Sequence, residues 1–386
     1  MRKNWKTKTL GSICKISTGK SNANEAVENG EYAFFDRSKK VKRSRRFLFD
    51  CKALIIPGEG AEFFPRYYSG KFDLHQRAYA LFNFDESVSI RFVEYYLIFD
   101  HKYFEQVAVG ATAKSLRIRH FQELLIPLPL LPEQKRIVKI LDELFEKIAK
   151  AKGNTEKNLQ NARELFETYL QSVFANLGDE WGGKTLGEVC VIKPPKKETK
   201  EKLKDAGSVT FLPMKDLGIL TKEINATKER QLKDVFSSYT YFADDDVLLA
   251  KITPCFENGK IGIARNLTNG VGFGSSEYIV FRSKGEIIPD YLYYFLTRNQ
   301  FREEGKKLMT GAVGHKRISK DFIYSYYLPF PKSLFEQKAI VSKLDTLSAE
   351  TKKLEAICQQ KLVDLEELKK SILQKAFNGK LAGAQS

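Results

Sequence analysis

The chain carries one pattern twice, and a duplicated pattern restricts the fold to two copies of one unit. Trp5, Lys8, Thr9, Leu10, Gly11, Cys14 and Ile16 return as Trp181, Lys184, Thr185, Leu186, Gly187, Cys190 and Ile192, 176 residues later. A second block also returns. Pro127-Leu128-Pro129 matches Pro329-Phe330-Pro331. Glu133-Gln134-Lys135, Ile137, Val138, Leu141, Asp142 and Leu144 match Glu336-Gln337-Lys338, Ile340, Val341, Leu344, Asp345 and Leu347, 203 residues later. The second copy is therefore 27 residues longer between its opening block and its helix block. Matching ends around dissimilar middles describe a shared frame holding two different contents.

Each copy has two parts. The first is mixed α/β, with short strand candidates at Ala53–Ile56, Tyr79–Phe84, Val247–Ile252 and Tyr278–Phe281, rich in β-branched and aromatic residues. Helical pieces are predicted at Arg91–Phe104 and Pro289–Gly305. The second part is a long helix. Ile137, Leu141, Leu144, Ile148 and Ala151, then Leu159, Ala162, Phe166, Tyr169 and Val173, advance mostly by three and four, which is a heptad stripe. Gly153-Asn154 predicts a bend in it. The second stripe runs Ile340, Leu344, Leu347, Thr351, Leu354, Cys358, Leu365, Leu368 and Ile372. Each helix would be about 60–70 Å long. Neither is stable alone in water, and the nearest partner is the other copy. A helix packed only on its own globular part is the alternative, but the stripe outruns a small domain. The expected class is α+β, with mixed α/β globular domains at 1–126 and 179–328 and long helices at 127–178 and 329–386.

Charge narrows the partner. The 386 residues hold 64 basic and 48 acidic side chains, a net +16. Such an excess favours a polyanion, against the bland reading of a basic chain that simply stays soluble. Residues 1–126 carry net +8 and residues 179–328 net +4, against +1 and +3 on the helix segments. The globular parts are thus the expected place for nucleic acid. Five cysteines (Cys14, Cys51, Cys190, Cys255, Cys358) without a Cys-x-x-Cys, and four scattered histidines, point to reduced thiols in a cytoplasm and to no zinc site. The apolar run Leu124–Leu131 contains two prolines and is far too short to span a bilayer, so no membrane is expected.

Enzyme motifs fail in turn. Gly58-Glu59-Gly60 has Phe63 where a dinucleotide turn needs its third glycine, and Gly270-Val271-Gly272-Phe273-Gly274 is misspaced for one. Gly110-Ala111-Thr112-Ala113-Lys114-Ser115 has Ala113 in place of the glycine of a phosphate loop. Asp244-Asp245-Asp246 reads as a tight turn before a buried strand. What remains suits DNA. Lys39, Lys40, Lys42, Arg43, Arg45 and Arg46 place six cations in eight residues, a pattern for phosphate. Two glycine loops stand in equivalent places, one offering Thr112, Lys114 and Arg117, the other His315, Lys316 and Arg317. Glycine allows close backbone approach, and Lys or Arg then offers donors to phosphate or guanine. An ordinary solvated loop is the alternative for each.

The order of half-unit, long helix, half-unit, long helix resembles the specificity subunits of type I restriction–modification systems. The two Pro-x-Pro and Glu-Gln-Lys blocks are similar to that family's helix starts. The stretch from Asp246 through Lys251, Ile252, Thr253, Pro254, Cys255, Phe256, Glu257, Asn258 and Gly259 to Lys260, continued by Gly272 to Glu277, is similar to its recognition domains. The first copy differs there, reading Ala53-Leu54-Ile55-Ile56-Pro57-Gly58-Glu59-Gly60, as a different half-site would require. Within the longer match, Lys251, Asn258, Lys260 and Ser275 become candidate DNA contacts. The resemblance implies two domains that each read half of a split double-stranded DNA site. It also implies helices that pair antiparallel as a ruler, through residues such as Ile137, Leu141, Leu144, Ile148, Ile340, Leu344, Leu347 and Leu354. It implies two methyltransferase subunits docked along them, and motor–nuclease subunits for restriction. S-adenosylmethionine, ATP and magnesium then belong to those partners, with no cofactor, metal or catalytic residue on this chain. A recognition subunit of a related split-site system with fused methylation–cleavage subunits is the close alternative.

Overall fold

The computed structural model describes residues 5–110, 114–175, 180–203, 207–225 and 228–381. The chain divides into two compact units, residues 1–156 with 359–386, and residues 157–358. Each unit thus takes one globular part and a portion of both long helices.

In the first unit the opening block forms β1 (Lys6–Thr9) and α1 (Leu10–Ile13). A six-stranded mixed sheet follows, from β2 (Lys15–Thr18), β3 (Tyr32–Phe35), β4 (Lys42–Ser44), β5 (Phe49–Pro57), β6 (Arg66–Leu74) and β7 (Ala78–Phe82). Its order is β2-β7-β5-β6-β3-β4, and β3 and β6 run parallel. The run Ala53–Ile56 is apolar throughout because both faces of β5 are covered. Leu54 and Ile56 join Phe92, Phe104 and Phe121 on one side, while Ala53 and Ile55 join Phe35, Phe72 and Leu74 on the other. The predicted helix Arg91–Phe104 is two helices, α2 (Ile90–Phe99) and α3 (His101–Val107), separated at Asp100. After α4 (Ile118–Gln122) comes β8 (Leu125–Leu128), then the long helix α5 (Leu131–Ala175). Strand β8 pairs antiparallel with β1, Lys6 facing Leu128 and Thr9 facing Leu125. The boundary expected at 126/127 therefore falls inside a strand. A two-stranded ribbon has free edges, where proline is tolerated, so Pro127 ends no element.

The second unit repeats the frame with different contents. Its opening block gives β9 (Trp181–Thr185), α6 (Leu186–Val189) and β10 (Cys190–Ile192), followed by α7 (Lys197–Leu203). Then come β11 (Ser208–Leu212), β12 (Glu229–Gln231), α8 (Leu232–Val235), β13 (Thr240–Ala243), β14 (Val247–Ala250), β15 (Ile261–Ile263), β16 (Val271–Gly274) and β17 (Tyr278–Ser283). They form two four-stranded sheets, β10-β17-β14-β15 and β12-β11-β16-β13. Val247 and Leu249 face a core with Phe281 and Tyr291, and Leu248 and Ala250 face one with Phe242 and Val280. Asp244-Asp245-Asp246 is the turn before β14, with Asp245 at φ 66°. Asp246 is buried, accepts from the Ala243 N–H at 2.7 Å and holds Arg282 through two bonds of 2.8 Å. Helices α9 (Pro289–Thr297), α10 (Asn299–Lys307) and α11 (Lys320–Ser325) lead to β18 (Tyr327–Pro331) and the long helix α12 (Leu334–Phe377). Strand β18 pairs with β9, Tyr327 facing Thr185, so the boundary at 328/329 also lies within a strand.

The long helices run antiparallel within each unit. In the first, Ile137 and Leu141 share a core with Leu373, Ala376 and Phe377, and Lys152 meets Glu366 at 2.8 Å. In the second, Leu170 and Phe174 share a core with Val341 and Leu344, and Arg163 meets Glu355 at 2.9 Å. These same cores contain globular residues, so the helices pack on each other and on their domains together. Leu144, Ile148, Ile340 and Leu347 are half-buried. Leu354 and Leu368 depart from the expectation, at 49% and 48% exposed. Beyond Thr351 the half-buried line runs through Glu355, Cys358, Leu362, Leu365 and Lys369, so the step of three to Leu354 leaves the inward face. Gly153-Asn154 does not interrupt the helix; α5 is continuous from Leu131 to Ala175. An interior glycine costs a helix only about 1 kcal/mol, which helix–helix packing offsets.

Candidate nucleic-acid interface

In each unit three segments meet where the central buried strand ends. In the second unit these are Lys251–Thr253 after β14, the turn Ser275–Glu277 before β17, and the loop Thr310–Arg317. Backbone bonds fasten them: Lys251 N–H to Glu277 O at 2.9 Å, Ile318 N–H to Lys251 O at 3.0 Å, and Thr253 N–H to Lys316 O at 2.9 Å. Arg317 donates to both Glu277 carboxylate oxygens at 2.8 and 3.0 Å. Those bonds hold the Glu277 carboxyl below its usual range. Lys251 donates to Ser276 O at 2.9 Å. Burial, then the neighbouring Lys193, Arg317 and Lys320, lower its ammonium pKa. His315 and Lys316 are exposed. Gly311 and Gly314 sit at φ +126° and +81°, a region L-residues rarely enter, which gives the loop its tight path.

The first unit builds the same junction from Gly58–Gly60, Gln76-Arg77, and residues 109–110 and 114–117. Leu116 N–H reaches Gly58 O at 2.8 Å, and Gly60 N–H reaches Lys114 O at 3.1 Å. Here the ion pair is Glu59–Arg77 at 2.5 Å. Arg117 is exposed. Lys114 instead donates to Glu105 O at 2.9 Å. Thr112 lies outside the described residues. The counter-charges Glu59, Arg77 and Glu277 were not among the sequence candidates. Their place immediately after or before a buried strand was the available signal.

The other candidates sort by partner. Ser275 serves the turn, accepting from Glu277 N–H at 3.2 Å. Asn258 is exposed. Lys260, expected to face DNA, donates to Met214 O at 2.8 Å; its ammonium satisfies a carbonyl of its own unit. The basic cluster divides as well. It lies on and around β4, the edge strand of the six-stranded sheet. Lys42 pairs with Asp36 at 2.6 Å and Lys39 with Glu62 at 2.8 Å. Arg46 binds Glu25, and Ser21 Oγ at 2.8 Å, beside buried Asp73. Lys40, Arg43 and Arg45 are exposed, and among the described residues their side chains have no hydrogen-bond or ion-pair partner. The cluster thus offers three unneutralised cations, with the rest anchoring the edge.

Among the described residues, no His, Cys, Asp and Glu group is placed to hold a metal, and no helix is long and apolar enough to cross a membrane. All five cysteines are free thiols; burial pushes those of Cys14 and Cys190 up to about 12.

Residues 2–160 and 178–362 match the family described as the type I restriction modification DNA specificity domain. The EcoAI specificity subunit of Escherichia coli is 33% identical over 227 residues, 58% of this chain and 37% of that protein. The EcoEI subunit is 31% identical, again over 37% of its length, so the match spans little more than a third of these relatives. The EcoDI specificity subunit, also from Escherichia coli, is 24% identical over 98% of this chain and 88% of its own. Among solved structures, a chain from work on complex assembly and conformational transition of the type I R-M system superposes with a TM-score of 0.70, at 20% identity over 98% of both chains. The HsdS subunit from Thermoanaerobacter tengcongensis gives 0.54 at 19% identity, covering 98% and 97%; at these identities the likeness is one of fold. With the family match covering both repeats, the chain belongs to the type I restriction–modification specificity family.

Proposed function

We propose that this chain is the DNA-reading subunit of a cytoplasmic type I restriction–modification complex. Each unit reads one half of a split double-stranded site, and the chain carries no chemistry of its own. The observation that carries this is the repeated junction. Two units with one frame present the same three segments at the end of a buried strand, yet with different side chains. A shared frame with different contact residues is what two different half-sites require. Exposed cations near the junctions and on β4 supply phosphate contacts, which position a protein on DNA. The paired helices offer the surface for two methyltransferase subunits. Motor–nuclease subunits complete the restriction complex, and S-adenosylmethionine, ATP and magnesium belong to these partners.

The test is genome-wide mapping of methylated adenine in the host, with the gene present and deleted. One bipartite motif should lose methylation on deletion and regain it on complementation. The purified chain alone, given S-adenosylmethionine and a duplex carrying that motif, should transfer no methyl group. An unchanged methylome, or transfer by the chain alone, overturns the proposal.

A further inference from the structure

Beside the junction of the second unit lies a cleft of about 350 Å³. Four ammonium groups line it, from Lys193, Lys196, Lys251 and Lys320, and among the described residues no carboxylate does. Two neighbouring acids are engaged: Glu277 is held by Arg317 and also stands 4.0 Å from Lys251, and Glu198 is held by Arg282. Two of the lysines are fastened, Lys196 to Phe236 O at 2.9 Å and Lys251 to Ser276 O at 2.9 Å. The other two, Lys193 and Lys320, are exposed, and among the described residues their side chains have no hydrogen-bond or ion-pair partner. The remaining wall is apolar and aromatic, including Ile192, Ile279, Ile323 and Tyr324.

The backbone also marks the place. Lys193 sits at φ +61°, a conformation uncommon outside glycine and asparagine. It is held there by its N–H bond to Val280 O at 2.8 Å and by the following Pro194. Residues kept in such conformations concentrate where a side chain's position matters. The lysines also feel one another: after burial, Lys193 lowers the pKa of both Lys196 and Lys251. Cations crowded in this way gain most from an anion.

We propose that this cleft holds one phosphodiester of the DNA strand, with the attached sugar against the apolar wall. The inference rests on the DNA-reading role proposed above. The residue types favour an anchor over a base reader. An ammonium is a point charge without the guanidinium's fork, so the lysines attract a phosphate without selecting a base edge. The counterpart concavity of the first unit, about 330 Å³ at the end of β5, contains Glu59 facing Arg77. It also holds Arg117, so two guanidiniums face one carboxylate there, and the cleft with four ammonium groups is the stronger anchor.

The test uses the full chain in its assembled methyltransferase complex, carrying Lys193→Gln with Lys320→Gln. Affinity for a duplex with the methylated motif and for a scrambled duplex is measured by fluorescence anisotropy across a salt series. Both duplexes should bind more weakly by the same factor. The log–log salt slope should flatten by roughly one for the lost phosphate. The methylated motif should stay the same, and Lys193→Arg with Lys320→Arg should restore the slope. An unchanged slope overturns the proposal, and so does a loss confined to the motif duplex. Calorimetric titration with AMP and with inorganic phosphate separates a free ligand from DNA: AMP binding abolished by the Gln variants, with DNA binding intact, would assign the cleft to a nucleotide instead. If the unaltered complex recognises no motif, the DNA-reading role itself has failed, which a slope measurement cannot mimic.

Discussion

Gln134 and Gln337 are buried polar residues at the starts of the two long helices, and each is fully used. The Gln134 amide donates to Ser87 O at 3.0 Å and Pro129 O at 2.8 Å, and accepts from Ser89 N–H at 2.8 Å. Gln337 repeats this with Glu286 O, Pro331 O and Ile288 N–H, each at 2.9 Å. A buried amide with its bonds complete fixes geometry, because any shift strands a desolvated group. Asp142 and Asp345 act likewise about two turns further on. Asp142 binds Arg91 at 2.8 Å and the Tyr95 hydroxyl; Asp345 binds Lys222 and the Tyr294 hydroxyl, each at 2.6 Å. The repeated helix block is thus the joint between helix and domain. The same attention to partners divides the basic cluster. Arg43→Ala with Arg45→Ala should weaken DNA binding equally for all sequences and flatten the salt slope by roughly one unit per lost phosphate contact, with no change in melting. Lys42→Ala or Arg46→Ala should instead lower the melting temperature, since Asp36 and Asp73 lose their cations and are only 6% and 1% exposed. Salt titration and calorimetry on the three variants check this; a stability loss at Arg43 and Arg45 would reverse the assignment.

At the scale of elements, the two helices divide their leucines between buried and exposed places. Leu344 is fully buried beside Phe174 and Tyr291, so Leu344→Ala should cost about 2–5 kcal/mol. Leu354 is 49% exposed, and Leu354→Ala should stay within about 0.5 kcal/mol. Denaturant melts of the two variants check the difference; equal losses would return Leu354 to the inward face. This contrast marks where sequence pattern stops being legible. Steps of three and four identify a helix and its face near a strong anchor such as Leu344. They do not choose between Leu354 and Glu355 once the phase has drifted. The buried strands were legible because an all-apolar run such as Ala53–Ile56 needs cover on both sides. The ribbon strands holding Pro127 and Pro329 were not, because proline reads as a boundary in either context. The candidate site was legible as loops and cations. Which cations remain unneutralised depends on acids distant in sequence, such as Glu25 and Glu62, and only the fold brings those together.

For the whole molecule, the placement of the cores matters most. The core of the first unit draws only on residues from its own two chain segments, and that of the second unit likewise. Among the described residues, each buried cluster draws on one recognition part. Replacing the contents of one unit should therefore leave the other unit's packing untouched. The frame defines where to cut. Residue 15 follows α1, and residue 117 precedes α4, so a graft of 15–116 keeps the β1–β8 ribbon, the helix start and Gln134 in place. The graft must still meet the frame. Phe92 packs on Phe377 at 5.3 Å between ring centroids, and Arg91 and Tyr95 serve Asp142. A donor segment with an aromatic, a basic residue and a tyrosine at those positions preserves the joint; one without them strands Asp142 and should lower the melting temperature. With a matched graft from a family relative, methylome sequencing should show one half of the motif replaced, with the other half and the spacing retained. If both halves change, the units are coupled through the paired helices and recognition is not modular. If neither changes while the complex stays active, the bases are read outside residues 15–116, and the junction at the end of β5 is not the reading surface.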